Sequence, residues 1–452
     1  MDLREMTEQA LRCCTREGAV QADIFAASGR TVSVYVEDGL IKNTEEKEDQ
    51  GISVRVLKGR KMGQASASCA TIGDVDKCVK AASRLADLAP VSRTFQSLPM
   101  PAPSTHSPDN WDPSVDRLEG GTLGELAGLI VDAAEMHGVK VSKGMIRGGS
   151  VETLVRNSNE VDASNRYTLV FSDFASLSEA PSPGEGVASY TSPRLEGLDP
   201  VDMGTNLAKQ ARAVSKASTL SSSLRLPLFI LPGELGEMLD AQIGMAVSAD
   251  SVQKKRSPWL GQQGQEVASP EITIIDDPSD SRAVLSAPYD DEGVPTAVKP
   301  VVKKGVLCSC LYDAYTASVE GKTPSGNGLR RGPHNSQYVF QNGVAPGHFN
   351  LVVSPGSKDR QELLSSFDRC VLIERFSHPD VNPVTGAFAL EVRLGHVLNR
   401  GSIERTFKHA LVVGNLIEAL RNVVAVGRDA EVVGSMILPT IGMDGIEVVG
   451  SG

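Results

Sequence analysis

The stretch that most directly indicates the fold class spans residues 31–57 and reads TVSVYVEDGLIKNTEEKEDQGISVRVL. Apolar and polar residues alternate on either side of an Asp38-Gly39 pair, which is typical of β-strands joined by a tight turn. The alternating apolar residues are Val32, Val34 and Val36 before the turn and Ile52, Val54 and Val56 after it. One face of each strand is therefore predicted to be buried and the other to be polar.

Helices are predicted on both sides of these strands. Residues 3–17 repeat apolar side chains at helical spacing before Gly18, and residues 74–88 do the same after a polar strand at 64–68. Helices that flank antiparallel strands bury their apolar stripe against one face of the sheet. We therefore expect an α+β fold that begins with a helix and antiparallel-sheet layer.

Proline and glycine divide the rest of the chain. Six prolines between residues 90 and 113 indicate a linker. Short β-type runs dominate from residue 223 onward, where helices are predicted only at 234–247 and 416–422. The predicted domains are an N-terminal α+β domain at 1–90, a proline-rich linker at 91–114, a middle α+β region at 115–222 and a β-rich C-terminal domain with few helices at 223–452.

The composition excludes several classes of function. The 452 residues include 45 basic and 56 acidic side chains, which give a net charge of −11. An acidic surface repels phosphate backbones, so no direct nucleic-acid partner is expected. No stretch approaches the ~20 apolar residues of a membrane helix. Residues 1–5 include two acids where a signal peptide needs a positive start and an apolar run. The seven cysteines are scattered and do not show the spacing of a disulfide framework in a secreted protein. We expect a cytoplasmic protein with no membrane partner.

The residues alone reveal no recognised metal or nucleophile motif. Neither HExxH nor HExxxH occurs, although zinc hydrolases need ligands clustered on one rigid element. Cys308 and Cys310 share one face of a predicted strand, where they form either a two-thiolate site or two small half-buried side chains. His334 and His378 lie in polar loops, where each either pairs with a Ser or Cys nucleophile or is simply solvated.

Two loops contain residue types that often bind ligands, but their sequence patterns do not establish a binding role. The acids Asp290, Asp291 and Glu292 either hold a cation or form a solvated loop. Residues 321–328 read GKTPSGNG, but a P-loop ends with its Gly-Lys-Thr and opens a helix, whereas here the triplet comes first and Pro324 follows. We therefore interpret residues 321–328 as a turn-rich loop.

An ordered series of short motifs nevertheless resembles a known family. Each motif is weak alone, but their order and spacing along the C-terminal half are similar to those of the TldD/PmbA family, in which PmbA is also called TldE. The motifs are DDEGVPT at 290–296, VKKGVL at 302–307, KTPSGNG at 322–328, NPVTG at 382–386, VGNL at 413–416 and VGRD at 426–429.

The resemblance implies a two-subunit zinc protease that acts on peptides and unfolded proteins. In the catalytic TldD branch, a helix carries HExxxH and a late cysteine completes the zinc site. The matching positions here hold Asp240, Ala241 and Met245, and no cysteine follows Cys370. The chain therefore resembles the PmbA/TldE branch, with no catalytic or metal residues of its own, no cofactor in this chain and zinc expected in a TldD-like partner.

The resemblance also suggests which surfaces line the proteolytic chamber. We expect the helix at 234–247 and the loops at 289–296 and 321–335 to line it, with peptide contacts from Asp290, Asp291, Glu292, Asn327 and His334. The helix also has an apolar stripe that ordinary packing explains, formed by Leu235, Met238, Leu239, Gln242, Ile243 and Ala246.

Two other functions stay open. One is a self-sufficient hydrolase that uses Asp240, His334, His378 or the Cys308 and Cys310 pair. The other is a homodimeric scaffold that binds peptides without cleaving them.

Overall fold

The N-terminal half of the chain forms one six-stranded sheet covered by helices. The computed structural model describes residues 1–95, 97–179, 182–330 and 339–450. The sheet has the strand order β3-β2-β1-β4-β5-β6, and all its pairs are antiparallel. Its strands are β1 (Gln21–Glu37), β2 (Leu40–Lys58), β3 (Lys61–Ser68), β4 (Lys140–Asn157), β5 (Asp162–Ser178) and β6 (Gly184–Ser192). Its helices are α1 (Leu3–Arg16), α2 (Ile72–Leu88), α3 (Pro113–Asp116), α4 (Gly120–Met136) and α5 (Pro200–Lys216).

All the longer helices of this half pack on the same face of the sheet. Ile24 of β1 lies in a core with α1 and α2, whereas Val32 and Val34 lie in a second core with α4 and α5. These residues are separated by even numbers of positions, so their side chains point to one face of the strand. The predicted helix layer on an antiparallel sheet is therefore confirmed.

The strands are longer than the sequence pattern indicates. The charged run at residues 42–50 continues β2, and its side chains stay largely exposed while the backbone pairs with β1. β1 also pairs with β4 from Asp23 opposite Asn157 to Glu37 opposite Lys143. Strands from the predicted segments 1–90 and 115–222 thus share one sheet.

The C-terminal half packs two sheets around a single large apolar core. One sheet has the order β11-β10-β9-β14-β21-β20, and the other has the order β19-β22-β8-β15-β16-β17-β7, with β18 pairing with β16 and β23. The longer strands are β15 (Arg369–Phe376), β16 (Ala387–Asn399), β17 (Ser402–Lys408), β18 (Leu411–Asn415), β10 (Lys299–Lys303) and β19 (Val423–Val426). The short strands are β7 (Ser218–Thr219), β8 (Leu228–Ile230), β9 (Ile274–Asp276), β11 (Val306–Leu307), β12 (Gly328–Leu329), β13 (Ala345–Pro346), β14 (Leu351–Val353), β20 (Glu431–Val433), β21 (Met436–Leu438), β22 (Ile441–Met443) and β23 (Glu447–Val449). The helices are α6 (Pro232–Val247), α7 (Ala249–Gln253), α8 (Ala314–Glu320), α9 (Arg360–Ser365) and α10 (Leu416–Arg421), with a 3₁₀ turn at Val339–Gln341.

The proline-rich segment 91–114 connects the two halves through specific contacts. Phe95 and Leu98 are buried. The buried side-chain amide of Asn110 donates hydrogen bonds to the carbonyl oxygens of Val284 at 3.1 Å and Ser286 at 2.7 Å. The segment therefore links the N-terminal half to the C-terminal half.

Throughout the described part of the chain, the helices lack the combination of length and apolar character that crossing a bilayer requires.

Candidate functional site

Helix α6 presents one apolar face to the core and a second, polar face outward. Its predicted stripe is buried as expected, from Leu235 to Ala246. The strands β20 and β21 pack so closely on it that a Cβ atom at Gly236 would lie 2.8 Å from the Val433 side chain. This packing fixes the rotation of the helix, and it leaves positions 240, 241 and 244 away from the core.

The residues on α6 do not fit a zinc ion. Position 241, to which the family resemblance assigns the general base, holds an alanine, which has no carboxylate. The Met245 Sδ atom accepts a hydrogen bond from the Ser251 hydroxyl at 3.0 Å, and a thioether does not replace the imidazole that zinc prefers. Within the ranges that the structure describes, no group of three His, Cys, Asp or Glu side chains is arranged to hold a metal ion.

A compact polar cluster occupies the outward face of α6 instead. His348 Nε2 lies 2.9 Å from Asp240 Oδ1 and 3.2 Å from Ser435 Oγ, and the Ser435 hydroxyl also donates to Asp240 Oδ1. His348 follows β13, and Ser435 lies in the turn between β20 and β21. His348 and Ser435 were not predicted from the sequence as members of a site, because 87 to 195 positions separate the members of the cluster and no local motif links them.

The orientation of His348 differs from that of the histidine in a nucleophilic relay. A Ser-His-Asp relay uses both ring nitrogens, one for the serine and one for the aspartate. Here both contacts fall on Nε2, and the buried Nδ1 has no hydrogen-bond partner among the described residues. Burial lowers the pKa of His348, but the hydrogen bond and charge of Asp240 outweigh it, so the pKa lies above its usual value.

The acidic run at 290–292 is buried rather than solvated. Asp290 Oδ1 accepts backbone hydrogen bonds from Glu292 and Val294 at 3.0 and 2.9 Å, and its Oδ2 accepts one from Gly328 at 2.8 Å. Burial raises the pKa of Asp290 well above its usual range, and the neighbouring Glu292 charge adds to that rise. The side chains of Asp290, Asp291 and Glu292 are at most 3% exposed. Their contact with a peptide stays a prediction, and their environment in this chain is structural.

Glu292 joins the two halves of the protein through a buried ion pair. Arg55 on β2 lies 2.9 Å from Glu292 Oε1 and 2.7 Å from Asp23 Oδ2 on β1. Burial lowers the pKa of Arg55, but these two carboxylates more than compensate, so its pKa lies above the usual value. The fully buried Arg330 contacts the same sheet through Ser53 Oγ at 2.8 Å. Charged groups this deep need partners, and here each half of the chain supplies some of them.

Asn327 is also a structural residue in this environment. Its amide donates to Asp276 Oδ2 at 2.7 Å and to the Gly347 carbonyl at 2.9 Å. Lys322, in the same loop, contacts Glu320 and the Tyr312 hydroxyl. The loop 321–328 therefore uses its polar groups internally, in agreement with its interpretation as a turn-rich loop.

The remaining candidates do not assemble into a site. His378 lies exposed in the turn after β15, and His334 lies outside the described residues. Cys308 and Cys310 are free, partly buried thiols, and burial raises the pKa of Cys310. Cys310 packs against an apolar cluster, which corresponds to the half-buried alternative predicted for this pair.

Comparisons with known proteins identify the family. Residues 223–450 match the PmbA/TldA metallopeptidase C-terminal domain, and residues 22–86 match domain 1 of the same metallopeptidases. A "Metalloprotease TldD homolog" of Haemophilus influenzae is 25% identical, over 91% of this chain and 86% of that protein. A "Metalloprotease PmbA homolog" of the same organism is 24% identical, over all of this chain and 96% of that protein.

A solved structure shares the fold over the whole chain. The crystal structure of TldE from Thermococcus kodakarensis superposes with a TM-score of 0.90, covers 98% of this chain and 100% of that one, and is 20% identical in sequence. At that identity the likeness concerns the fold alone, whereas the match to the C-terminal domain spans half of the sequence. The chain belongs to the TldD/PmbA family of metallopeptidases.

Proposed function

We propose that this chain is the subunit without zinc in a two-chain TldD/TldE-type peptidase, and that a TldD-like partner carries the metal and the general base. The observation that supports this proposal best is the outward face of α6. Asp240 is hydrogen-bonded to His348 and Ser435, and position 241 carries only a methyl group. The Met245 sulfur accepts a hydrogen bond from Ser251. A chain with these side chains does not activate water by a zinc mechanism.

The proposed contribution of this subunit is to shape the chamber in which the partner cleaves peptides and unfolded proteins. In the proposal, that chamber is lined by helix α6 and by the loops 289–296 and 321–335, of which residues 331–335 lie outside the described part of the chain. The buried acids 290–292 then act beneath its surface, where they fix the loop backbone through N–H groups. In the catalytic branch, peptide is expected to bind as an added strand, and backbone pairing of that kind requires no particular sequence.

Reconstitution of the two chains tests the proposal. The purified chain alone should not hydrolyse casein, whereas its mixture with a family member that carries HExxxH should, and a chelator should abolish that activity. Replacing the glutamate of the partner's motif with glutamine should remove turnover, because the general base lies there.

Variants of this chain provide the matched control. Ala241→Glu restores the carboxylate without the ligands, so it should give the isolated chain no activity. Asp240→Ala should leave the zinc content of the pair unchanged. Chelator-resistant hydrolysis by the isolated chain, lost in Asp240→Ala, would contradict the proposal and favour the self-sufficient hydrolase.

A further inference from the structure

A small cavity lies at the junction of the two halves, apart from the α6 face. Its volume is about 160 Å³, and it forms where the start of β6 and the end of α5 meet the strands β15, β16 and β17. None of its lining residues belongs to α6 or to the loops 289–296 and 321–328. It therefore needs an explanation of its own.

The lining of this cavity is cationic, although the chain as a whole is acidic. Arg375, Arg393, Lys408 and His409 line it together with one carboxylate, Glu185. Three of these side chains carry permanent positive charges, in a protein whose net charge is −11. A local excess of positive charge in such a chain favours an anionic ligand.

The ion pairs inside the chain leave part of this positive charge uncompensated. Arg375 forms an ion pair with the carboxylate of Glu185 and donates a hydrogen bond to the backbone carbonyl of the same residue. Lys408 Nζ contacts two neutral oxygens, the Val214 carbonyl at 2.9 Å and Ser182 Oγ at 3.3 Å. An ammonium group has three donors, so Lys408 retains one for a ligand.

Arg393 and His409 form the outer side of the cavity. The carboxylate nearest to Arg393 is Glu391, at 3.8 Å, and Arg393 also donates to Ser377 Oγ at 3.1 Å. The 3.8 Å separation is longer than a charge-assisted hydrogen bond, which leaves the guanidinium fork largely available. His409 Nδ1 lies 2.9 Å from Glu391 Oε1.

The rest of the wall is apolar. Leu177, Pro183 and Val214 complete the lining, and Leu177 is 47% exposed although it belongs to a strand. A cavity of about 150 Å³ can hold a group the size of benzene. Positive charge beside an apolar wall of this size suits an anion that carries a small hydrocarbon group.

We propose that this cavity binds a small organic carboxylate with a branched aliphatic side chain, as presented by an N-acylated leucine or by a peptide that ends in leucine. Arg393 and Lys408 bind the carboxylate, and Leu177 and Val214 contact the aliphatic group. This inference does not depend on the two-chain function proposed above, because it concerns residues of this chain alone.

Calorimetric titration of the full chain with paired ligands tests the charge requirement. N-acetyl-L-leucine should bind saturably at low ionic strength, and N-acetyl-L-leucinamide, which has the same side chain without the charge, should bind at least tenfold more weakly. Equal affinity for the two compounds, or no saturable heat with either at millimolar concentration, would overturn the proposal. This comparison requires no variant.

Substitutions then locate the site. Arg393→Gln should weaken N-acetyl-L-leucine at least tenfold. Arg400→Gln, which makes the same charge change at an exposed turn of the same half, should leave the affinity unchanged. Leu177→Ser should weaken N-acetyl-L-leucine but not acetate. An equal loss in Arg393→Gln and Arg400→Gln would contradict the site, because it would indicate general electrostatic attraction. The tripeptide Ala-Ala-Leu distinguishes the sources: affinity like that of N-acetyl-L-leucine indicates a peptide end, and markedly weaker affinity indicates a free acid.

Discussion

Replacing Arg55 with methionine should uncouple the two halves of the protein and destabilise it strongly. The guanidinium is shared by Asp23 and Glu292, whose side chains are 1% and 0% exposed. Removing one partner of a buried ion pair leaves an uncompensated charge, which costs about 3–5 kcal/mol. Protonation of Glu292 limits the loss, since burial already raises the pKa of that carboxyl. We therefore expect Arg55→Met to lower the free energy of unfolding by about 3–5 kcal/mol at neutral pH.

Urea denaturation, followed by circular dichroism and by the fluorescence of the buried Trp259, measures this loss. The matched control is Arg4→Met, which removes an exposed pair with Asp162 and should cost about 1 kcal/mol or less. Adding Glu292→Gln to Arg55→Met removes one uncompensated charge and should recover about 1–2 kcal/mol. The role of this buried ion pair would be contradicted if Arg55→Met were no more destabilising than Arg4→Met, or if the second substitution added its own full cost.

Three further predictions concern pH, the α6 cluster and the helix layer. Burial raises the pKa of Glu234 to about 7 from its usual 4.5, so the free energy of unfolding should fall as the pH rises from 4.5 to 7. In denaturation curves, Glu234→Gln should be more stable than the wild type by about 3 kcal/mol at pH 8 but equal to it at pH 4. In NMR titrations, the pKa of His348 should lie above 6.5 in the wild type and be lower in Asp240→Asn, because the hydrogen bond and charge of Asp240 are lost while burial remains; an unchanged value would contradict the assigned contact. A Cβ atom at Gly63 would lie 2.2 Å from backbone atoms of α2, so Gly63→Ala should lower the free energy of unfolding by about 1–3 kcal/mol. The control is Gly73→Ala, where the nearest atom is 3.6 Å from the new Cβ atom; it should change the free energy of unfolding by less than about 1 kcal/mol.

Local periodicity was sufficient to predict the elements that bury one face. The apolar stripe of α6 and the alternation around Val32 and Ile52 both predicted the buried side correctly. The full length of β2 could not be predicted, because residues 42–50 are charged and exposed and only their backbone pairing makes them a strand. A pattern of buried apolar side chains cannot indicate a strand segment whose side chains stay exposed.

The candidate site was less predictable, because it depends on contacts between distant segments. Charged side chains are rarely buried, so the run at 290–292 was expected either to bind a cation or to be solvated. Its actual partner, Arg55, comes from the N-terminal sheet, and no local pattern links them. The same holds for His348 and Asp240. Family resemblance identified the important helix, but only the fold shows which side chains meet there.

We propose that the zinc of the two-chain complex belongs to the partner chain. Native mass spectrometry with metal analysis measures this directly, on the purified chain, on a co-expressed family member with HExxxH, and on their mixture. We expect no stoichiometric zinc on this chain alone and a mixed complex whose zinc is lost when the partner's histidines are replaced. Stoichiometric zinc on the isolated chain, lost in Asp240→Ala, would contradict it.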